Sequence, residues 1–545
     1  MKKQTLIGLF FLAGLFVVLG LVGCDTDISG TALENQAPET HLSVRDSSLV
    51  DNLAGADRLA STVFVAWSGT DPDGFVASFE LRFYPGDTPP SGPEEGWAST
   101  TRNDTLVLLP IPRGERIADV VFEVRAIDNE RLKDPTPART VFPIQNAPPT
   151  IRLSTFDAPP DTTFTVFSFS WTADDPEGKG NLDRIEVSLN DSTRFTALAP
   201  DVEFITLIGL VDRADPAQSE TEAEVFLGKA FQRTTLRLPG LRLDADNTFY
   251  VRSVDQTDTT STVERYSWHV KKPKGDVLFV NDVRKASAPT VASFHREVLG
   301  AYLPEGTNVD FWDVSLPFVT GAGGNALRSD AIPKTADPTL RQTLALFRYI
   351  YWVSSNTTNS TVQNNLPFAA SVMDLFFENG GKIMVLSPVT LPGDPSESLS
   401  NPAVLLLPMS DLIVFPDSLR PTLRMPTGSG VNPVGALPGV AEALPPMKSR
   451  QFIIGTLPYI TATSNTIPLY EGEFLFITRV GGRQGAWPGP ATVASITTDR
   501  RIGLFSLPLV NEQTGAATFE GSDGDSDAPQ RAIHLMLESL GFPKR

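Results

Sequence analysis

The chain has 545 residues, 41% of them hydrophobic and 20% charged, the balance of a folded multidomain protein and not of a disordered one. Its net charge of −19 repels phosphate backbones and argues against nucleic acid as a partner. A single cysteine, Cys24, leaves no intramolecular disulfide, so each domain must stand on its own core.

At the N-terminus Lys2 and Lys3 precede an apolar run from Leu6 to Leu21, the pattern of a secretory signal. The run ends in Leu21-Val22-Gly23-Cys24, which resembles a bacterial lipobox. The resemblance implies a signal peptide over 1–23, thioether lipidation of Cys24 and a tether over 24–34. The expected partner is then the lipid bilayer, and the expected place the bacterial cell envelope, facing periplasm or exterior. Fatty acyl chains at about 0.8 kcal/mol per buried methylene make such an anchor effectively permanent. Two other readings stay open: a retained transmembrane helix over Leu6 to Gly23, and an incidental cysteine behind an ordinary cleavage site.

Residues 35–145 and 146–271 repeat one another. Asn35-Gln36-Ala37-Pro38 returns as Asn146-Ala147-Pro148-Pro149, and Val63-Phe64-Val65-Ala66-Trp67 as Phe167-Ser168-Phe169-Ser170-Trp171. Asp71-Pro72-Asp73-Gly74 returns as Asp174-Asp175-Pro176-Glu177-Gly178, and the late run ending in Asp128 as the run ending in Asp255. Period-2 runs divided by turn clusters predict a β-sandwich in each copy, with Trp67 and Trp171 in the cores. The pattern resembles fibronectin type III and related immunoglobulin-like modules. In the second copy, 199–231 carries Asp212, Asp215, Glu220, Glu222 and Glu224 and reads as an acidic insertion into a loop. Lys271-Lys272-Pro273-Lys274-Gly275 reads as a linker.

From Asp276 the period changes. Continuous apolar runs at 277–280, 309–313, 349–353 and 382–386 alternate with helical stretches at 290–303, 339–347 and 362–377. That alternation predicts an α/β domain over 274–545 with a mostly parallel sheet. Residues 388–450, rich in Pro and Gly, read as an insertion; further strands are expected at 452–454, 473–478, 491–497 and 501–507, and a last helix at 530–540. Asn281-Asp282 after the opening strand, the turn Glu378-Asn379-Gly380-Gly381-Lys382, and 501–508 before the last helix resemble the class I glutamine-amidotransferase-like fold. Active members of that family carry a cysteine after a central strand. Here that place holds Ser387-Pro388, with no cysteine in the domain and no His-x-Glu, so amidotransferase activity is not expected.

Three sets of residues have chemistry to weigh. Ser387 at a strand end is a candidate nucleophile with His295 or His534 as base, but it lacks the Gly-x-Ser-x-Gly elbow. Asp282 and Asp313 should share one rim of the sheet with Ser354, Ser355 and Asn356, a crevice for a sugar or small metabolite; helix capping accounts for the same residues. Asp71, Asp73 and Asp128, repeated as Asp174, Asp175 and Asp255, are candidate calcium ligands, and turn chemistry alone explains their sequence. No zinc set is readable, and Gly321-Ala322-Gly323-Gly324 reads as a flexible lid or plain spacer and not a phosphate loop. The sequence therefore points to a lipid-anchored binding or scaffold protein for an unidentified protein or carbohydrate ligand. The alternatives are an envelope hydrolase or carbohydrate-active enzyme, and a purely structural stalk.

Overall fold

The computed structural model describes residues 34–44, 59–60, 62–109, 111–112, 114–283, 287–315, 331–354, 365–387, 406–407, 421–454, 465–478, 481–489 and 491–545. The expected signal, Cys24, Ser355, Asn356 and Gly321–Gly324 lie outside them. Among the described residues no helix is long and apolar enough to cross a membrane. The chain forms two compact units that divide after Asn146.

In the first unit Glu39–Val44, Thr62–Thr70 and Asp104–Leu108 make one antiparallel sheet. A second sheet runs Leu59–Ala60, Ala138–Gln145, Ile117–Asp128, Val76–Pro85 and Ala98–Thr100. Alternate residues Val63, Val65 and Trp67 turn inward and meet Phe79, Val120, Phe122 and Phe142 between the sheets. The Trp67 ring stands edge-on to Phe79 at 6.2 Å, as the period-2 pattern and the large area of the indole demand.

The second unit opens with another sandwich. Its sheets are Thr162–Thr163, Glu264–Val270, Ala245–Asp255, Leu182–Leu189, Thr196–Leu198, and Gln232–Arg242, Glu220–Leu227, Phe204–Gly209, Val166–Asp174, Thr150–Leu153. Phe169 stacks on Phe249 at 4.1 Å, with Trp171 and Trp268 buried around them. The stretch 199–231 is thus not a loop insertion. It supplies two strands, because Ala223 and Val225 face the core while Glu222 and Glu224 face away.

The rest of the unit is built on a ten-stranded sheet. Val309–Asp313, Val277–Asp282, Tyr349–Ser354, Lys382–Leu386 and Ile502–Phe505 pair in parallel. Thr492–Thr497, Thr466–Gly472, Gly430–Pro433, Met447–Ser449 and Phe519–Gly521 continue it antiparallel. The sheet is mixed, not mostly parallel. Only a short turn separates Thr492–Thr497 from Ile502–Phe505, and a turn of that length can close a hairpin but not a parallel crossover. Residues 421–449, read as insertion, contribute Gly430–Pro433 and Met447–Ser449 to this sheet and Pro421–Met425 to a separate four-stranded one.

All six residues of Val277–Asp282 are buried, which explains the unbroken apolar run over its first four. Helices Ala288–Tyr302 and Ala528–Leu540 contribute to one apolar core; Arg341–Leu344, Leu366–Ala370 and Asp374–Glu378 contribute to another. The helix expected over 362–377 is two short ones within the described residues. Pro367 sits in the first turn of the former, and Ser371 Oγ donates back to the Phe368 carbonyl (2.7 Å) at the break. The helix expected over 339–347 begins earlier, as an irregular turn over Ala336–Leu340, and ends with Arg341–Leu344, before the N–H groups of Arg348 and Tyr349 donate to the Asp276 carbonyl and join the sheet.

The segment 271–275 is no free linker. Lys271 Nζ donates to the Phe311 carbonyl (3.0 Å), the N–H groups of Lys274 and Gly275 donate to Asp310, and Phe164 of the sandwich belongs to the second helix–sheet core.

Candidate functional site

The parallel strands end along one rim, where open sheets of this kind hold ligands. Asp282, Asp313, Ser354 and Ser387 all lie there, as expected from the runs that precede them. The chain beyond each strand, at 284–286, 316–330, 355–364 and 388–405, falls outside the described residues.

Asp282 is buried. Its Oδ1 accepts from Asn365 Nδ2 (2.8 Å); its Oδ2 accepts from the Asn365 N–H (3.0 Å), Ser354 Oγ (3.1 Å) and Trp352 Nε1 (3.2 Å). Burial pushes its carboxyl up to about 7, against those four donors. Asp313 Oδ1 accepts from Ser315 Oγ (2.5 Å), the Ser315 N–H (3.2 Å) and Asn281 Nδ2 (3.3 Å), so it caps the turn after its own strand. Ser387 is buried, and its N–H donates to the Phe505 carbonyl (3.2 Å).

Neither proposed base meets Ser387 in a hydrogen bond among the described residues. His295 Nδ1 pairs with the Tyr351 hydroxyl (2.8 Å), and burial depresses its pKa to about 3, so it is neutral. His534 Nε2 donates to the Val298 carbonyl (2.8 Å). His295, Ser354, Leu386 and Glu512 line a cavity of about 30 Å³, the size of a water molecule and far below that of a sugar. A larger cavity, about 270 Å³, lies away from this rim in the second sandwich, beside Asp191, Arg194, Phe195 and Glu220.

The candidate calcium ligands divide. In the first sandwich Asp73 Oδ2 accepts from the Gln36 N–H (3.0 Å) and Asp128 Oδ2 from Asn35 Nδ2 (2.5 Å), so the chain before the first strand bridges the two loops. Asp128 Oδ1 accepts from the N–H groups of Glu130 and Leu132, both 2.8 Å. Burial alone would raise its pKa, but these donors outweigh it and hold the carboxyl below the usual range. Asp71 Oδ2 is buried without a partner. In the second sandwich Asp174 is exposed and accepts from the Asp175 N–H (2.9 Å). Asp255 Oδ1 accepts from Thr257 and Thr259. Asp175 lies beside Glu177, which is not among the candidate ligands expected from the sequence. Among the described residues no three His, Cys, Asp or Glu side chains gather as a metal set.

No family model and no curated protein matches the chain. It is similar to solved fibronectin(III)-like modules of Clostridium thermocellum CbhA, at 14% identity over 43% of this chain and 95% of that one, with a TM-score of 0.16. It is also similar to the chicken interferon gamma receptor alpha chain, at 10% identity over 40% and 97%, with a TM-score of 0.19. Both scores are far below that of a shared fold, and the two sandwiches rest on their own strand pairing.

Proposed function

We propose that this chain is a lipid-anchored protein of the bacterial cell envelope that binds or scaffolds and does not catalyse. In this reading acylated Cys24 holds it on the bilayer, the two sandwiches are modules of fibronectin type III kind, and residues 274–545 are an amidotransferase-like body without the nucleophile. The observation that supports a silent strand-end rim is Asp282: both of its oxygens are taken by Asn365, Ser354 and Trp352, so neither is directed at a substrate. The neighbouring His295, bonded to Tyr351 and neutral, is likewise committed to the core.

Fractionation of cells making the full chain tests the anchor. Wild type is expected in the detergent phase and Cys24→Ser in the aqueous phase; equal partitioning would remove the lipid from the argument. A fluorophosphonate probe tests the silence. Labelling that disappears in Ser387→Ala would replace the scaffold with a hydrolase.

A further inference from the structure

The loop Asp174–Asn181 poses a charge problem that the fold does not solve. Asp175 is only 4% exposed, and its Oδ2 is buried with no hydrogen-bond partner. Glu177 Oε2 is buried and unpartnered too. The two carboxyl groups approach within hydrogen-bond reach of one another. Lys179, the nearest basic residue in sequence, is paired with Glu203 at 2.5 Å. Two facing carboxylate oxygens buried from water are held at a steep desolvation cost unless a proton or a cation sits between them.

The other oxygens are already held by the loop. Asp175 Oδ1 accepts from the Glu177 N–H (2.8 Å) and Asn181 Nδ2 (3.2 Å), and Glu177 Oε1 accepts from the Ala147 N–H (3.1 Å). These donors occupy the outer oxygens and leave Oδ2 and Oε2 as the facing acceptors. The frame occurs twice. In the first sandwich Asp71 Oδ1 faces the Asp73 N–H (3.4 Å), Asp73 Oδ2 takes the Gln36 N–H, and Asp71 Oδ2 is again a buried orphan. Asp73 is exposed there, so only the second copy shields its carboxyl pair from water.

We propose that Asp175 and Glu177 form a divalent-cation site of the calcium class, each giving one oxygen, with neutral oxygens of the loop and water completing the shell. Asp174, Asp255 and Asp128 are not ligands of this site. With two carboxylates the affinity belongs to the weak extracellular class, a Kd of about 10⁻⁴–10⁻³ M.

The test uses the full chain, stripped with chelator and dialysed. Calorimetric titration with calcium chloride is expected to show binding at about millimolar Kd, and about tenfold more folded over unfolded second unit at 10 mM calcium. Asp175→Asn with Glu177→Gln should abolish that response, and Asp174→Asn should keep it. A wild-type chain that neither binds calcium nor gains stability at 10 mM overturns the proposal, as does undiminished binding in the double variant. If Asp175→Asn melts above a calcium-indifferent wild type, the pair shares a proton and no metal is involved. Should the double variant fail to fold, the wild-type titration decides alone.

Discussion

Replacing Phe164 with alanine removes the ring that joins the second sandwich to the helix–sheet body. The ring is 2% exposed, edge-on to Phe347 at 5.1 Å and to Trp312 at 5.9 Å, with Lys271 Nζ 4.5 Å from its centre. A buried Phe→Ala change costs about 3–5 kcal/mol, a figure that already contains the aromatic contacts of about 0.5–1.5 kcal/mol each. With a urea slope of about 3 kcal/mol/M, the midpoint of the second unit should fall by roughly 1–1.7 M. Loss of the joint should also split one transition into two. Hydrogen exchange is expected to quicken at 309–313 and 346–349 while the sandwich core around Phe169 keeps its protection. Phe156→Ala, at 65% exposure in the same module, should change stability by less than about 0.5 kcal/mol. A Phe164→Ala midpoint as close to wild type as that control, with exchange unaltered, would refute the joint.

Two buried groups predict opposing pH slopes. The raised carboxyl of Asp282 keeps its proton in the fold while the unfolded chain loses it near pH ~3.9, so stability falls as pH rises from there to about 7. The depressed His295 stays neutral while the unfolded chain takes a proton below pH ~6.5, so stability falls as pH drops from there to about 3. The wild-type urea profile should be nearly flat from these two groups, His295→Gln should expose the Asp282 slope, and Asp282→Asn the opposite one; parallel profiles in both variants would contradict the assignment. Gly381→Ala is expected to cost about 1–3 kcal/mol, since an added Cβ would lie 2.5 Å from the Phe376 carbonyl oxygen; an unchanged melting curve would show that the turn relaxes. Arg125→Ala, by urea melting of the first unit, should cost about 2 kcal/mol: it strips Glu80 of a 2.6 Å ion pair and Trp97 of a stacked guanidinium, with Lys133 still 3.1 Å from Glu80. A loss below about 0.5 kcal/mol would make that cluster a surface ornament of the sheet.

The features readable from sequence were those with one dominant physical cause. Trp67 and Trp171 end alternating runs, and alternation has a single interpretation when a large aromatic must be covered. Val277–Asp282 could be read as a strand buried on both faces because no polar residue interrupts it before Asn281. Glu220–Leu227 was hidden although it alternates as well, because its outward positions carry so much acid that the run resembles a solvated loop. Thr466–Gly472 was missed since Pro468 breaks its pattern at an irregular register, and Gly430–Pro433 is too short to show one. At the candidate sites, position was legible and pairing was not. That Asp282 ends a strand follows from the run before it; that Asn365, 83 positions later, takes up its oxygens does not. Glu177 went unseen because Asp-Pro-Glu-Gly explains itself as a turn, and only its orphaned oxygen beside that of Asp175 says otherwise.

The joint at Phe164 bears on how this chain can be dissected or recombined. Tandem β units are commonly exchanged between proteins as interchangeable beads, cut at the lysine-rich string between them. Here scissors placed at 271–275 would bare Trp312 and Phe347 on one fragment and Phe164 on the other, and strand the Arg213 guanidinium from Asp276 at 2.7 Å. Each piece would carry a sticky aromatic wound, so the smallest portable cassette from this half of the molecule begins near Ala147.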